Sequence, residues 1–248
     1  EPYRRQRQMC IRDRGKGGLM ELKFTGVGAA YYPVLGSNCA FFEHDDCLYL
    51  IDCGESTFKA MFSRNEIFQY KKIIVLITHL HTDHIGSLGS LLSFCKSVLQ
   101  KKVFLMAEEE TIVNILAECG IKPDVYEFST DFQKFGTDSL SIIPQRVVHA
   151  KDMLCCGFLF ESHGEKVYYS GDTSVIPEKI LSSFLSGEIK TMYQECTFLD
   201  TESLSHFSLK KLCKLIPQKE RKRVYCMHLG GNIEEEILKA GFLVPKVV

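Results

Sequence analysis

Residues 78 to 84 read Thr78-His79-Leu80-His81-Thr82-Asp83-His84, placing three histidines and one aspartate within six residues. Imidazole and carboxylate are the donors a borderline divalent ion such as zinc accepts. His79 and His81 are two apart, so a turn can point both at one ion, while Asp83 and His84 face a second. Further donors follow downstream: His149, then Asp172 within Ser170-Gly171-Asp172-Thr173, then His228. Any one of these alone would pass for an ordinary core or surface residue. Placed at the ends of strands, they can converge with the histidine-rich loop on a shared cleft. Two ions ~3.5–4 Å apart lower the pKa of a bridging water, so a hydroxide nucleophile exists at neutral pH, and they stabilise charge on the oxygen under attack. The chemistry implied is metal-dependent hydrolysis.

The elements that must carry these donors are legible. Lys72–Ile77 is an apolar run, as in a strand buried on both faces, and it delivers the histidine loop directly. Ser141–Val148, Val167–Ser170 and Arg223–Met227 read as the strands that precede His149, Asp172 and His228. Upstream, Glu21–Gly26, Asn38–Glu43 and Cys47–Asp52 read as strands, with His44-Asp45-Asp46 as a hairpin turn. Ser56 reads as the N-cap of a helix that runs to Arg64. Strands are also expected at Val103–Ala107, Val125–Phe128, Met153–Glu161 and Thr191–Glu195. Helices are expected at Ile85–Gln100, Glu108–Cys119, Pro177–Ser186, Ser208–Ile216 and Ile233–Ala240. With no repeat or linker, the pattern predicts one α+β domain over residues 20–248, two packed mixed sheets with helices outside.

Composition sets limits on function. The 248 residues carry a formal net charge of -1, which excludes binding to nucleic acid by bulk charge alone. No apolar run approaches the ~18 residues a membrane span needs. The eleven cysteines contain no CxxC pair. They read as reduced thiols of a cytoplasmic protein, mostly small buried hydrophobes, the vicinal Cys155–Cys156 included. Residues 1–19 hold six basic side chains against two acidic ones. Their Arg-Arg-Gln-Arg-Gln-Met-Cys-Ile-Arg-Asp-Arg run resembles the conceptual translation of a transposase adapter. They are therefore expected to be a non-native, disordered extension before Met20. The remaining 229 residues carry 24 basic and 29 acidic side chains, net -5.

His-x-His-x-Asp-His, then a lone His, an Asp in Gly-Asp-Thr and a final His resembles the metallo-β-lactamase superfamily in its hydrolase branches. In detail the chain is most similar to the ribonuclease Z branch, through Asp52-Cys53-Gly54-Glu55, Tyr168-Tyr169-Ser170-Gly171-Asp172-Thr173, Glu195-Cys196-Thr197-Phe198 and His206-Phe207-Ser208. The resemblance implies an αββα sandwich and a dinuclear site. His79, His81 and His149 would hold one metal, Asp83, His84 and His228 the other, and Asp172 would bridge them. Asp52 would act behind the ligands as a hydrogen-bond acceptor. Asp83 would orient the nucleophilic water or take its proton. Glu195 and His206 would relay a proton to the leaving oxygen, since an imidazole oriented by a carboxylate is a competent acid near pH 7. Zinc is the default ion, with manganese and iron as alternatives.

Three features depart from that branch. Only Gly120, Pro123 and Gly136 stand where a Gly/Pro-rich arm for tRNA would be inserted between Ala107 and Ser141. The spacer from Glu195 to His206 is shorter, and Leu229-Gly230-Gly231-Asn232 replaces the usual ending. The expected activity is thus a phosphodiesterase acting on a nucleotide or on RNA, in the manner of a ribonuclease Z-like endoribonuclease of tRNA processing. Two alternatives stand beside it: a metal-dependent ester, thioester or lactone hydrolase, and an inactive RNA-binding or regulatory module. Lys210, Lys211 and Lys214, just after His206, are candidate phosphate contacts, and a homodimer is compatible with the sequence.

Overall fold

The computed structural model describes residues 20–134, 137–198 and 205–248, so the expected extension at 1–19 lies outside the described residues. Strands β1 (Lys23–Gly26), β2 (Cys39–His44) and β3 (Cys47–Ile51) pair antiparallel. β4 (Lys72–Ile77), β5 (Val103–Ala107) and β6 (Tyr126–Ser129) then add in parallel, giving a six-stranded sheet in sequence order. The second sheet repeats this plan. β7 (Leu140–Arg146), β8 (Cys156–Ser162) and β9 (Glu165–Tyr169) pair antiparallel, and β10 (Ile189–Glu195) and β11 (Val224–Met227) continue in parallel. Both hairpins turn on two residues of positive φ, Asp45 with Asp46 and His163 with Gly164, the backbone that matches strand twist.

Alternation along the strands builds the layers. In β3, Tyr49 and Ile51 face the second sheet, where Phe42 stacks on Tyr49 at 4.8 Å and meets Phe160 edge-on at 5.2 Å. Leu48 and Leu50 face the other way, into a core with Leu88, Leu91 and Leu92 of helix Leu88–Ser97 and Ile112 of helix Thr111–Glu118. Ile180 and Phe184 of helix Glu178–Leu185 and Leu212 of helix Leu209–Leu215 join the core of the second sheet. The result is the expected αββα sandwich.

Every strand and long helix expected from the sequence is present, its ends displaced by three residues or fewer. One expectation fails: Ser56 makes no N-cap bond, because its hydroxyl accepts the backbone N–H of Ser37 at 2.7 Å instead. Among the described residues, two short α-helices, Glu66–Gln69 and Thr82–Ile85, and two 3-10 helices, Pro33–Leu35 and Gln218–Arg223, are additional. The ten described cysteines are free, and eight of them are buried. Among the described residues no helix is long and apolar enough to cross a membrane.

Candidate metal centre

The helical turn Thr82–Ile85 divides the histidine motif. His81 is extended, with φ -64° and ψ 150°, and its carbonyl accepts the N–H groups of His84 and Ile85 at 3.0 and 3.1 Å. His79 and His81 therefore precede the turn, while Asp83 and His84 lie on it. The loop is bound to the segment after β3: Cys53 N–H donates to the His84 carbonyl at 2.7 Å, and Ser87 N–H to the Cys53 carbonyl at 3.0 Å. Gly54 permits this approach, since a Cβ there would sit 1.9 Å from the Asp83 carbonyl oxygen.

Three groups of donors result, two of which contain the seven expected ligands, while the third joins Asp172 and His228 to Glu195 and His206. In the first, Nε2 of His79 and Nε2 of His149 lie 3.0 and 3.1 Å from Nδ1 of His81. The second comprises Asp83, His84, Asp172 and His228, all buried. Asp83 Oδ2 is 3.2 Å from Nε2 of both His84 and His228. Asp172 Oδ2 reaches both groups, at 3.2 Å from His228, 3.5 Å from His84, 3.7 Å from His149 and 3.9 Å from His79. Four strand ends, those of β4, β7, β9 and β11, thus bring together all seven expected ligands. His228 adopts φ 53°, a left-handed conformation uncommon for a residue with a Cβ and characteristic of constrained functional positions.

Hydrogen bonds behind these residues aim their free nitrogens inward. Asp52 Oδ2 accepts Nδ1–H of His84 at 2.8 Å, and its Oδ1 accepts the Thr78 N–H at 2.8 Å. The Thr78 hydroxyl donates to Asp52 Oδ2 at 2.9 Å and contacts His79 Nδ1 at 3.0 Å. His149 Nδ1 donates to the Ser205 carbonyl at 2.7 Å. Such partners fix ring orientation and tautomer. Burial, with the neighbouring His84 charge, holds His79 well below the usual imidazole range, and burial with His149 lowers His81. Both rings present lone pairs. At the second group, burial opposes charge on His228, but Asp172, Asp83 and Glu195 outweigh it and push its pKa up to about 10. Those carboxylates favour positive charge at that point.

Beside the second group, Glu195 is 1% exposed. Its Oε1 accepts the Thr173 N–H at 2.5 Å, and its Oε2 lies 2.8 Å from His206 Nδ1 and 3.4 Å from His228 Nδ1. Burial works against a charged His206, while the hydrogen bond and charge of Glu195 raise its pKa. Lys210, Lys211 and Lys214 lie on helix Leu209–Leu215, whose N-cap Ser208 accepts Lys211 N–H at 3.2 Å, and Lys210 and Lys214 are exposed.

The donor set fits divalent ions. Nε2 of His84 and Oδ1 of Asp172 are buried with no hydrogen-bond partner among the described residues. A buried polar atom left this way costs about 1–3 kcal/mol, and a cation coordinated there satisfies both. The clusters are compatible with a dinuclear centre, and what such an arrangement can do chemically is metal-dependent hydrolysis.

A model of the family described as Anti-Pycsar protein Apyc1 matches residues 20–244. The chain belongs to that family. Relatives include the Anti-Pycsar proteins Apyc1 of Paenibacillus harenae, 26% identical over 87% of this chain and 92% of the relative, and of Bacillus phage 010DV004, 28% identical over 90% and 94%. The ribonuclease Z of Listeria monocytogenes serotype 4a (strain HCC23) is 39% identical over 79 residues, covering 30% of this chain and 25% of that protein. Among solved structures, the metallo-β-lactamase fold protein YhfI from Bacillus subtilis superposes with a TM-score of 0.70 at 17% identity, covering 90% of this chain and 92% of that one. A diphosphatase from the PhnP family gives 0.69 at 19%, covering 90% and 93%, and the short form of human tRNase Z gives 0.64 at 20%, covering 84% and 92%. The fold is that of the metallo-β-lactamase superfamily, as the family's sequence motifs imply.

Three supporting residues escaped the sequence reading. Thr78 was visible beside the first histidine, but its link to Asp52 appears only when β3 and β4 pair. Asn38 accepts His228 N–H at 3.3 Å and donates to Tyr169 Oη at 2.8 Å. Thr173 contributes a backbone N–H, which no side-chain pattern reveals.

Proposed function

We propose that this protein is a dinuclear metal-dependent phosphodiesterase acting on a small nucleotide, with zinc as the resident ion. The observation that carries this reading is the Glu195–His206 pair at 2.8 Å, placed against His228 at the edge of the donor cluster. His79, His81 and His149 would hold one ion, Asp83, His84 and His228 the other, and Asp172 both. When bound, the ions would activate a water and neutralise charge on the phosphoryl oxygens. The chain's own residues then have distinct tasks. Asp83, whose ionised form His228 and His84 favour against the effect of burial, accepts a hydrogen bond and orients the attacking water. His206 gives its Nδ1–H to Glu195, which leaves Nε2 to donate a proton to the departing oxygen. An alkoxide leaving group needs that proton, whereas the thiolate of a thioester needs it far less.

The anti-Pycsar relatives support a cyclic nucleotide as the phosphodiester. Ribonuclease Z-like action on precursor tRNA is the finer alternative. It receives less support, because the described chain from β5 to β7 forms an ordinary helix and strand.

Metal analysis paired with cleavage assays tests the reading. The expected result is two equivalents of metal and turnover of a cyclic nucleotide, with precursor tRNA, aryl ester and lactone left intact. Ester or lactone turnover without phosphodiester cleavage would overturn it, as would an inactive protein that retains full metal content.

A further inference from the structure

The Leu229-Gly230-Gly231-Asn232 ending, unlike that of the ribonuclease Z branch, has no role in the chemistry above. It follows His228 directly, and two loops abut it. The loop between β1 and β2 lies at the centre's end of the first sheet, since Gly26 pairs with Cys39, and Ala40 pairs with Ile51, the residue before Asp52. Its Ala29 N–H donates to the Leu229 carbonyl at 3.0 Å, and Leu229 N–H donates to Val27 at 2.7 Å. Two residues beyond Ala29, in a turn closed by Tyr32 N–H to the Ala29 carbonyl at 2.9 Å, stands Tyr31. The second loop leaves β10 after Glu195. Its Cys196 N–H donates to the Met227 carbonyl at 2.9 Å, and Thr197 Oγ1 lies 3.3 Å from where a Cβ on Gly230 would sit. The next residue is Phe198.

Both aromatic residues are open to solvent, Tyr31 at 100% and Phe198 at 61%. Between their loops runs bare backbone. Gly230 is exposed, and a Cβ on Gly231 would meet nothing within 4 Å. Val34, at 75%, adds a further exposed apolar side chain to the first loop. Here two rings sit on separate loops that touch the one segment leaving His228. The loop backbone is anchored and the rings stay open, so each leaves a flat face available to a ligand. Resting on the phosphodiesterase reading, the geometry points to Tyr31 and Phe198 as the stacking surface for the base of a nucleotide substrate, with Gly230 and Gly231 leaving room for its edge. Stacking accepts every base, because each presents a π-face, so this subsite supplies affinity without reading base identity.

Calorimetry on the metal-loaded full chain tests the subsite, comparing a nucleoside 5′-monophosphate with ribose 5-phosphate. The native protein is expected to prefer the nucleotide about tenfold or more. Tyr31→Ala and Phe198→Ala should bring that ratio towards one, and Tyr31→Phe should retain it. Equal affinity of the native protein for the two ligands would overturn the proposal, as would a ratio unchanged in Tyr31→Ala. If Tyr31→Ala instead alters the sedimentation behaviour with the ratio intact, the loop belongs to a contact between copies of the chain and the proposal fails. The phosphodiesterase reading fails separately, by absence of turnover on every phosphodiester, and the ligand comparison still decides the subsite in that case.

Discussion

Asp52 and Asp172 stand at comparable points of the two sheets, each just beyond the strand where antiparallel pairing gives way to parallel pairing. Both are buried. Asp52 is saturated, with Thr78 N–H and His84 Nδ1–H each at 2.8 Å and the Thr78 hydroxyl at 2.9 Å. Asp172 has one oxygen without a partner and the other facing four imidazoles. Burial raises the Asp52 pKa, and its hydrogen bonds only partly offset this. Burial acts on Asp172 too, but the charges of His228 and His84 overcome it and hold that carboxyl well below the usual range. One residue type, in one kind of place, becomes a post that orients an imidazole or an acceptor left open towards the donor cluster. Completeness of hydrogen bonding decides which, and depth of burial does not.

The largest test of that contrast is Asp172→Asn, which removes charge where the two donor groups meet. Turnover is expected to fall to background, with metal content below two equivalents by mass spectrometry. His81→Ala should likewise lose turnover and metal through the first group. Asp52→Asn leaves all seven donors in place and is expected to cost about 10–100-fold in activity or metal affinity, the usual effect of a partner behind a ligand. Equal losses in Asp52→Asn and Asp172→Asn would break the comparison.

The proton relay sharpens it further, since Glu195 positions a second imidazole as Asp52 positions His84. His206→Ala should slow turnover about 10²–10⁴-fold while both metals stay bound. Unchanged turnover would remove His206 from the mechanism. Because Glu195 raises the His206 pKa, the acid form persists to higher pH than in a free imidazole and is lost as pH rises through the raised value. Glu195→Gln removes the stabilising anion, lowers that pKa and moves the descending limb of the kcat–pH profile towards acid. A limb that stays in place would assign it to another group.

Much of this was legible before any coordinates. The seven donors followed from residue type and from position at strand ends, and β4 announced itself by its apolar run. Two kinds of information were not. The sequence motif does not show that Thr82–Ile85 forms a helical turn, the device that separates His79 and His81 from Asp83 and His84. Ser56 illustrates the other: its capping signal was locally sound, but Ser37, nineteen residues away, claimed the hydroxyl. Asn38 and Thr78 acquire their roles through the same kind of long-range pairing, which local pattern cannot encode.

Thr78→Val is the subtlest way to probe the contrast between the two aspartates. It removes the hydroxyl that donates to Asp52 and contacts His79, and it keeps the backbone N–H bond to Asp52 Oδ1. Asp52 then keeps one donor on each oxygen and loses its third, a step towards the less complete bonding of Asp172. The expected loss of stability is about 1–3 kcal/mol, the usual result of leaving a buried polar group unsatisfied, here His79 Nδ1, which loses its contact with the hydroxyl, measured by calorimetry on the metal-free protein. Metal affinity should fall less than in Asp52→Asn, because His84 keeps its acceptor and only His79 loses a contact. If Thr78→Val weakens metal binding as much as Asp52→Asn, the orientation of His79 matters as much as that of His84, and Asp52 works through the threonine hydroxyl as much as through its own bond to the ring.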